Sequence, residues 1–291
     1  MTEVRPLRSA AAAVLRVAPG LAPRVEKLMW RSFYELASMG RRDLGTAMMN
    51  YGYAPLDPTV GDGNGAGDGD RYGLQLYAAV AGGWDLSGKD VLEVGCGRGG
   101  GAAFVFETHG PSSMTGLDLA HKAIDRCRRR YGRPGLEFVA GDAENLPFGD
   151  GAFDAVLSVE SSHCYASPPR FWGEAHRVLR PGGRLLLADA RHTSLTPGTA
   201  SALFAQDDVA RLREQLAAAG FRTLEEVDIT ANVVRALELD TPARKARIEH
   251  RVPRFLRPHA LAFAAVEGSP MYQAFAESQL TYLRLVLEKI S

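Results

Sequence analysis

The sequence predicts a doubly wound, mostly parallel α/β sheet of seven strands, and three observations carry that prediction. Short apolar runs alternate with segments of helical spacing from Leu74 to Asp189. A glycine-rich turn follows the first core run. Carboxylates stand at the ends of successive runs, where open sheets of this kind bind ligands.

Residues 1–57 read as mostly helical, because Val25, Leu28, Met29, Ser32, Phe33 and Leu36 fall on one helical face. The segment reaches "MMNYGYAP" with Tyr51 and Tyr53, then "GDGNGAGDGDRYG" (Gly61 to Gly73). That stretch fails as a calcium loop, since Ala66 and Gly73 fall where side-chain oxygens are needed. It reads as a mobile hinge, so residues 1–70 form a helical lid with a flexible loop.

The core, residues 71–230, holds "DVLEVG" (Asp90 to Gly95), "MTGLDL" (Met114 to Leu119), "LEFVAG" (Leu136 to Gly141), "FDAVLSV" (Phe153 to Val159) and "GRLLLAD" (Gly183 to Asp189). Near-continuous apolar runs of this length fit parallel strands covered on both faces. Ala120, Ile124, Cys127 and Tyr131 form the buried stripe of one intervening helix, which leaves "RCRRRYGR" as its solvated face. Phe171, Ala175, Val178 and Leu179 form the stripe of another, and "VLRPGG" reads as helix end, turn and strand. A helix over Asp207 to Ala219, closed by Gly220, leads to a sixth strand from Arg222 to Thr230. The run Leu280 to Ile290 reads as the last strand, within 278–291. Residues 231–277 between them are too long for a plain connection and predict a helical cap over a pocket.

The chain has 291 residues, with 34 Lys plus Arg against 34 Asp plus Glu. Zero net charge gives no support for a nucleic-acid partner, and no apolar run reaches the length of a membrane span. Three cysteines without a C-x-x-C pair fit a reducing cytosol better than a disulfide framework or zinc site, so the expected location is cytoplasmic and no metal is expected.

Gly95, Gly97 and Gly99 supply the freedom a sharp turn and a close ligand approach require. Alone they leave a nicotinamide cofactor and S-adenosylmethionine both open. Glu93 stands inside the preceding strand and needs a buried partner, such as loop amides or a ligand ammonium. Asp118, ending the second strand, can accept both hydroxyls of a ribose. Asp142 and the Ala143 amide can meet an adenine edge. After the fourth strand, "LSVESSHCYASPP" (Leu157 to Pro169) crowds Glu160, His163 and Tyr165 at the ligand edge.

Glu93-x-Gly95-x-Gly97-x-Gly99, Asp118, "GDAENLPF" and "VLRPGG" resemble the motif series of class I S-adenosylmethionine-dependent methyltransferases over about residues 70–190. "LEVGCGRGGGA", "ESSHCY", "AD-x-R" and "RVPRFLRPHALAFAAVEGSPMY" are similar to the phthiotriol/phenolphthiotriol dimycocerosate methyltransferases of actinobacteria and related natural-product O-methyltransferases. That likeness runs nearly full length and departs most at the N-terminus. It implies a Rossmann-like fold in which Glu93, Gly95, Cys96, Gly97 and Gly99 hold the methionine part of S-adenosylmethionine. Asp118 with Leu119 would hold the ribose, Asp142 with Ala143 the adenine, and Tyr51 and Tyr53 would close over the cofactor. His163 is the candidate general base and Glu160 its orienter or a cofactor ligand, while Tyr165 and His192 would bind a bulky, rather apolar acceptor. N- or C-methylation and a nicotinamide oxidoreductase remain the alternatives at this point.

Overall fold

The computed structural model describes residues 48–57, 70–194 and 207–290. The helical reading of residues 1–47 and most of the glycine-rich segment lie outside them. Residues 48–57 do not continue a helix. They form neither helix nor strand, with the Tyr53 amide donating to Tyr72 O (2.9 Å) and the Ala54 amide to Asn232 O (3.1 Å). Gly52, at φ +92°, turns the chain against Tyr72 where a Cβ would collide.

The elements follow in chain order: α1 (Arg71–Ala81), β1 (Asp90–Val94), α2 (Gly100–His109), β2 (Ser113–Asp118), α3 (His121–Tyr131), β3 (Leu136–Ala140) and β4 (Phe153–Val159). Then come α4 (Pro168–Val178), β5 (Leu179–His192), α5 (Val209–Ala218), β6 (Phe221–Asp228), α6 (Thr230–Arg251), α7 (Arg257–Phe263), α8 (Pro270–Ala276) and β7 (Leu280–Lys289). The seven strands lie in the order β3-β2-β1-β4-β5-β7-β6. β1 to β5 are parallel, and β7 runs antiparallel between β5 and β6. Strand order reverses at β1, so the crevice between the C-terminal ends of β1 and β4 is the topological switch point.

Alternation along β5 shows why both faces are apolar. Leu186 and Ala188 join one cluster with Leu76, Ile124 and Tyr282, and Leu185 and Leu187 join the other with Phe171 and Trp172. Full burial of each such leucine contributes about 1.5–3 kcal/mol. Trp172 sinks completely because its indole N–H finds Gln215 Oε1 at 3.0 Å.

The reading of "VLRPGG" needs correction. Leu179 is already strand, paired with Phe153, and the register shifts before Ala155 meets Arg184. Pro181 to Gly183 therefore form an irregularity inside β5, with Gly182 at φ +74°. The cap is helical as expected: α6, α7 and α8 lie between β6 and β7.

Candidate active site

The turn after β1 is shaped by what lies directly behind it. Gly95 (φ +81°) donates its amide to Leu117 O at 2.8 Å, and a Cβ there would stand 2.3 Å from Ser161 Cβ. Only glycine fits, because the loop after β4 packs against the loop after β1. The Gly97 and Ala120 amides each donate to one oxygen of Asp118, both at 2.9 Å. Burial raises the Asp118 pKa, opposed by these amides. Each carboxylate oxygen keeps a second lone pair for another donor.

A cleft opens beside this loop. Gly95, Cys96, Gly97, Asp118, Leu119, Asp142, Ala143, Glu160 and Tyr165 line it, so the structure brings most of the sequence-predicted residues together. Three expectations come out differently. Tyr51 and Tyr53 pack against the apolar cluster, Tyr51 edge-on to Phe275 at 5.5 Å; Met48, Met49 and Asn50 line the cleft from that segment instead. His192 is turned away: the unbroken β5–β7 register puts it on the strand face opposite Asp189, buried and paired with Leu280. Glu93 is fully buried behind the cleft wall rather than on it.

Glu93 reaches the cleft through Tyr77, a residue the sequence reading did not single out. The Tyr77 hydroxyl, itself on the wall, donates to Glu93 Oε1 at 2.6 Å. Oε2 has no hydrogen-bond partner among the described residues, although the Ala102 amide is near enough to lower the pKa slightly. Burial nonetheless pushes the Glu93 carboxyl up to about 7, against the Tyr77 bond and with help from Asp118. A buried carboxyl with an orphaned oxygen, beside a hydroxyl that still has lone pairs facing the cleft, suits a cationic ammonium. The residues therefore fit S-adenosylmethionine: this corner for its amino group, Asp118 for ribose, and the Asp142–Ala143 turn for adenine.

The segment after β4 divides into two polar centres. Glu160 sits at φ +48°, and its Oε1 accepts from the Tyr51 amide (2.7 Å) and the Tyr282 hydroxyl (2.8 Å). Burial pushes it up to about 7 as well. The second centre is the 3₁₀ turn Ser162–Cys164 lying against β5. His163 Nδ1 is 2.7 Å from Asp189 Oδ1, and the His163 amide donates to Oδ2 at 3.0 Å. Ser162 also donates to Oδ2 and accepts from Arg191, whose guanidinium lies 3.1 Å from the carboxylate. Asp189 and Arg191 are each 1% exposed.

This centre is a buried ion cluster, His163 being its most exposed ionisable member at 12%. Burial alone would raise Asp189, but His163, Arg191 and Ser162 hold it well below the usual carboxylate range. Burial likewise opposes charge on His163, yet Cys164 and Asp189 together raise its pKa well above the ordinary imidazole value. With Nδ1 engaged by Asp189, Nε2 is the position that can exchange a proton. The ring is 12% exposed and does not itself line the cleft, although its chain neighbours Cys164 and Tyr165 do. Asp189 escaped the sequence reading except within "AD-x-R"; an acid at the end of an apolar strand was its signal. Among the described residues, no group of three or more His, Cys, Asp or Glu side chains is placed to hold a metal ion.

This strand order, with β7 reversed, a glycine turn after β1 and an acid ending β2, defines a class I methyltransferase. Residues 92–187 match a family model described as a methyltransferase domain. The chain is 40% identical over 236 residues to phthiotriol/phenolphthiotriol dimycocerosates methyltransferase 1 of Mycobacterium ulcerans, covering 80% of this chain and 81% of that one. It is also 40% identical over 243 residues to a fatty-acid O-methyltransferase of Mycolicibacterium smegmatis, with 83% and 84% covered. Among solved structures, the [4+2]-cyclase SpnF superimposes with a TM-score of 0.69 at 23% identity, over 89% of this chain and 94% of that one, a likeness of fold alone. The chain belongs to the methyltransferase family of the phthiotriol/phenolphthiotriol dimycocerosates methyltransferases, and it is an S-adenosylmethionine-dependent methyltransferase.

Proposed function

We propose that this methyltransferase transfers its methyl group to a hydroxyl of a bulky, rather apolar acceptor of polyketide or glycolipid type, with His163 as general base. The observation that carries the reading is the His163–Asp189 pair at the ends of β4 and β5, beside the cleft. A neutral alcohol is a poor nucleophile, and a base in reach of its proton is the chemistry it lacks. An N-methyltransferase acting on an amine has less need of such a base. The relatives, a dimycocerosates methyltransferase and a fatty-acid O-methyltransferase, support a lipid-like acceptor and attachment at oxygen.

The geometry supports these roles. Tyr77 and Glu93 receive the cofactor's ammonium, Asp118 its ribose, and the Asp142–Ala143 turn its adenine. When bound, S-adenosylmethionine supplies a methyl on a sulfonium, so the new bond joins acceptor oxygen to methyl carbon and the bond broken is methyl carbon to sulfur. Asp189 fixes the His163 tautomer so that Nε2 of the neutral ring accepts the acceptor's proton, and the buried carboxylate stabilises the resulting imidazolium; because the surroundings raise the His163 pKa, the neutral form, and with it the rate, increases as pH rises. Arg191 and Ser162 keep Asp189 ionised and oriented. Glu160 and Tyr165 shape the acceptor side of the wall.

The test is methyl transfer from carbon-13 methyl-labelled cofactor to a panel of long-chain alcohols, amines and alkenes, with the product read by NMR. A labelled methyl ether supports the reading. Label on carbon or nitrogen, or equal rates for His163→Ala and the parent, overturns it.

A further inference from the structure

The cap carries a surface that the cleft does not use. α6 ends at Arg251, and the chain turns through Pro253 into the 3₁₀ turn Arg254–Leu256 before α7. Pro253, Arg254, Phe255 and Leu256 are exposed in succession. Phe255 is 76% exposed, more than any other large apolar side chain among the described residues, and Leu256 is 45% exposed. A single exposed leucine needs no explanation, but an adjacent Phe–Leu pair at the tip of a turn places apolar surface where nothing among the described residues packs it.

The charge around that tip is one-sided. Residues 240–257 hold six Lys or Arg against two Asp or Glu, an excess of four cations in a chain whose formal net charge is zero. One of the acids, Asp240, is consumed inside the cap by Arg244 (2.7 Å) and Arg247 (3.2 Å). Arg257 donates to the carbonyls of Val252 (3.0 Å) and Glu249 (2.5 Å), which holds its guanidinium beside the turn. Favourable interaction with the α6 C-terminus accounts for basic residues there. It does not account for Phe255 and Leu256.

We propose that this turn is a membrane-interface contact. Phe255 and Leu256 enter the boundary between headgroups and acyl chains of an anionic bilayer, and Arg251, Arg254 and Arg257 face its phosphates. Apolar side chains flanked by Arg are the combination that binds such interfaces. A second copy of this chain fits less well, because a two-fold contact at the tip would set these arginines against their own images. No described helix is long and apolar enough to cross a membrane, and an edge contact of this kind needs none. Arg244, seven residues and about 10 Å before Arg251 along α6, donates to Asn50 O and Tyr51 O at the cleft. The tip thus belongs to the same insertion that holds the 50–51 segment, whose Asn50 lines the cleft. The inference stands on exposure and charge and is independent of the acceptor.

The full chain is sedimented with vesicles of equal phosphatidylglycerol and phosphatidylcholine, and with vesicles of phosphatidylcholine alone. The expected result is at least ten-fold stronger partition to the anionic vesicles, weakened by salt. Arg254→Glu should reduce that partition by an order of ten-fold, and Phe255→Ser with Leu256→Ser should reduce it similarly. S-adenosylhomocysteine affinity should be unchanged in both, which shows that the variants are folded. No partition by the parent chain, equal partition to both vesicle types, or variants that bind like the parent would overturn the proposal. So would a parent dimer that these variants dissociate without any vesicle binding.

Discussion

Replacing Glu93 by Gln removes one buried charge and keeps the shape. Glu93 is fully buried, its pKa is pushed from 4.5 to about 7, and Oε2 has no hydrogen-bond partner among the described residues. A carboxyl whose folded pKa lies above its unfolded value holds its proton more often in the folded state. Stability is then greatest below about pH 4.5 and is lost as pH rises through 4.5 to about 7. At about 1.4 kcal/mol per unit, the ligand-free enzyme loses roughly 3 kcal/mol to this one group between pH 4.5 and 8. Gln cannot ionise and can still accept from Tyr77, so Glu93→Gln should flatten that slope and be the more stable protein at pH 8. The same change removes the anion proposed to face the cofactor's ammonium, and S-adenosylhomocysteine affinity should fall roughly 10- to 100-fold. Urea unfolding at pH 5 and pH 8 with calorimetric titration of S-adenosylhomocysteine measures both effects. Identical pH slopes in the two proteins would refute the buried-charge argument, and unchanged affinity would refute the ammonium site.

Gly95→Ala forces a left-handed backbone and drives a Cβ into Ser161; urea unfolding should show a loss of roughly 2–5 kcal/mol, with cofactor binding abolished. Asp118→Ala removes an acceptor that also pins the Gly97 and Ala120 amides. Calorimetry should show S-adenosylhomocysteine bound about 10- to 100-fold more weakly, while the acceptor KM at saturating cofactor stays near the parent value. Arg244→Ala deletes the bonds to Ala264 O and Tyr51 O but leaves Arg247 paired with Asp240. A loss of roughly 2–3 kcal/mol in urea is expected, with faster proteolysis at residues 48–54.

The parallel strands could be read from the sequence because burial on both faces leaves unbroken apolar runs, and a charge such as Glu93 inside one of them stands out. The glycine turn and Asp118 were legible for the same reason: their spacing from the strand ends is local. Asp189 was harder, since it is 26 residues from His163 and meets it only because β4 and β5 are neighbours. Tyr282 is 122 residues from Glu160 and joins it through the antiparallel insertion of β7, which no local pattern encodes. Tyr77 resembled an ordinary core aromatic on α1 until its hydroxyl was seen on Glu93. Tyr51, Tyr53 and His192 do not line the cleft: their residue types suggest ligand contacts, whereas strand alternation and apolar packing decide where they point.

The central claim is that His163, held by Asp189, removes the acceptor's proton. The most direct measurement is the single-turnover rate of methyl transfer to a long-chain alcohol by His163→Ala, alongside S-adenosylhomocysteine titration of the same protein. A rate lowered about 10²- to 10⁴-fold with cofactor affinity retained is the predicted result. A rate within two-fold of the parent enzyme (roughly 0.4 kcal/mol in the barrier) would contradict it.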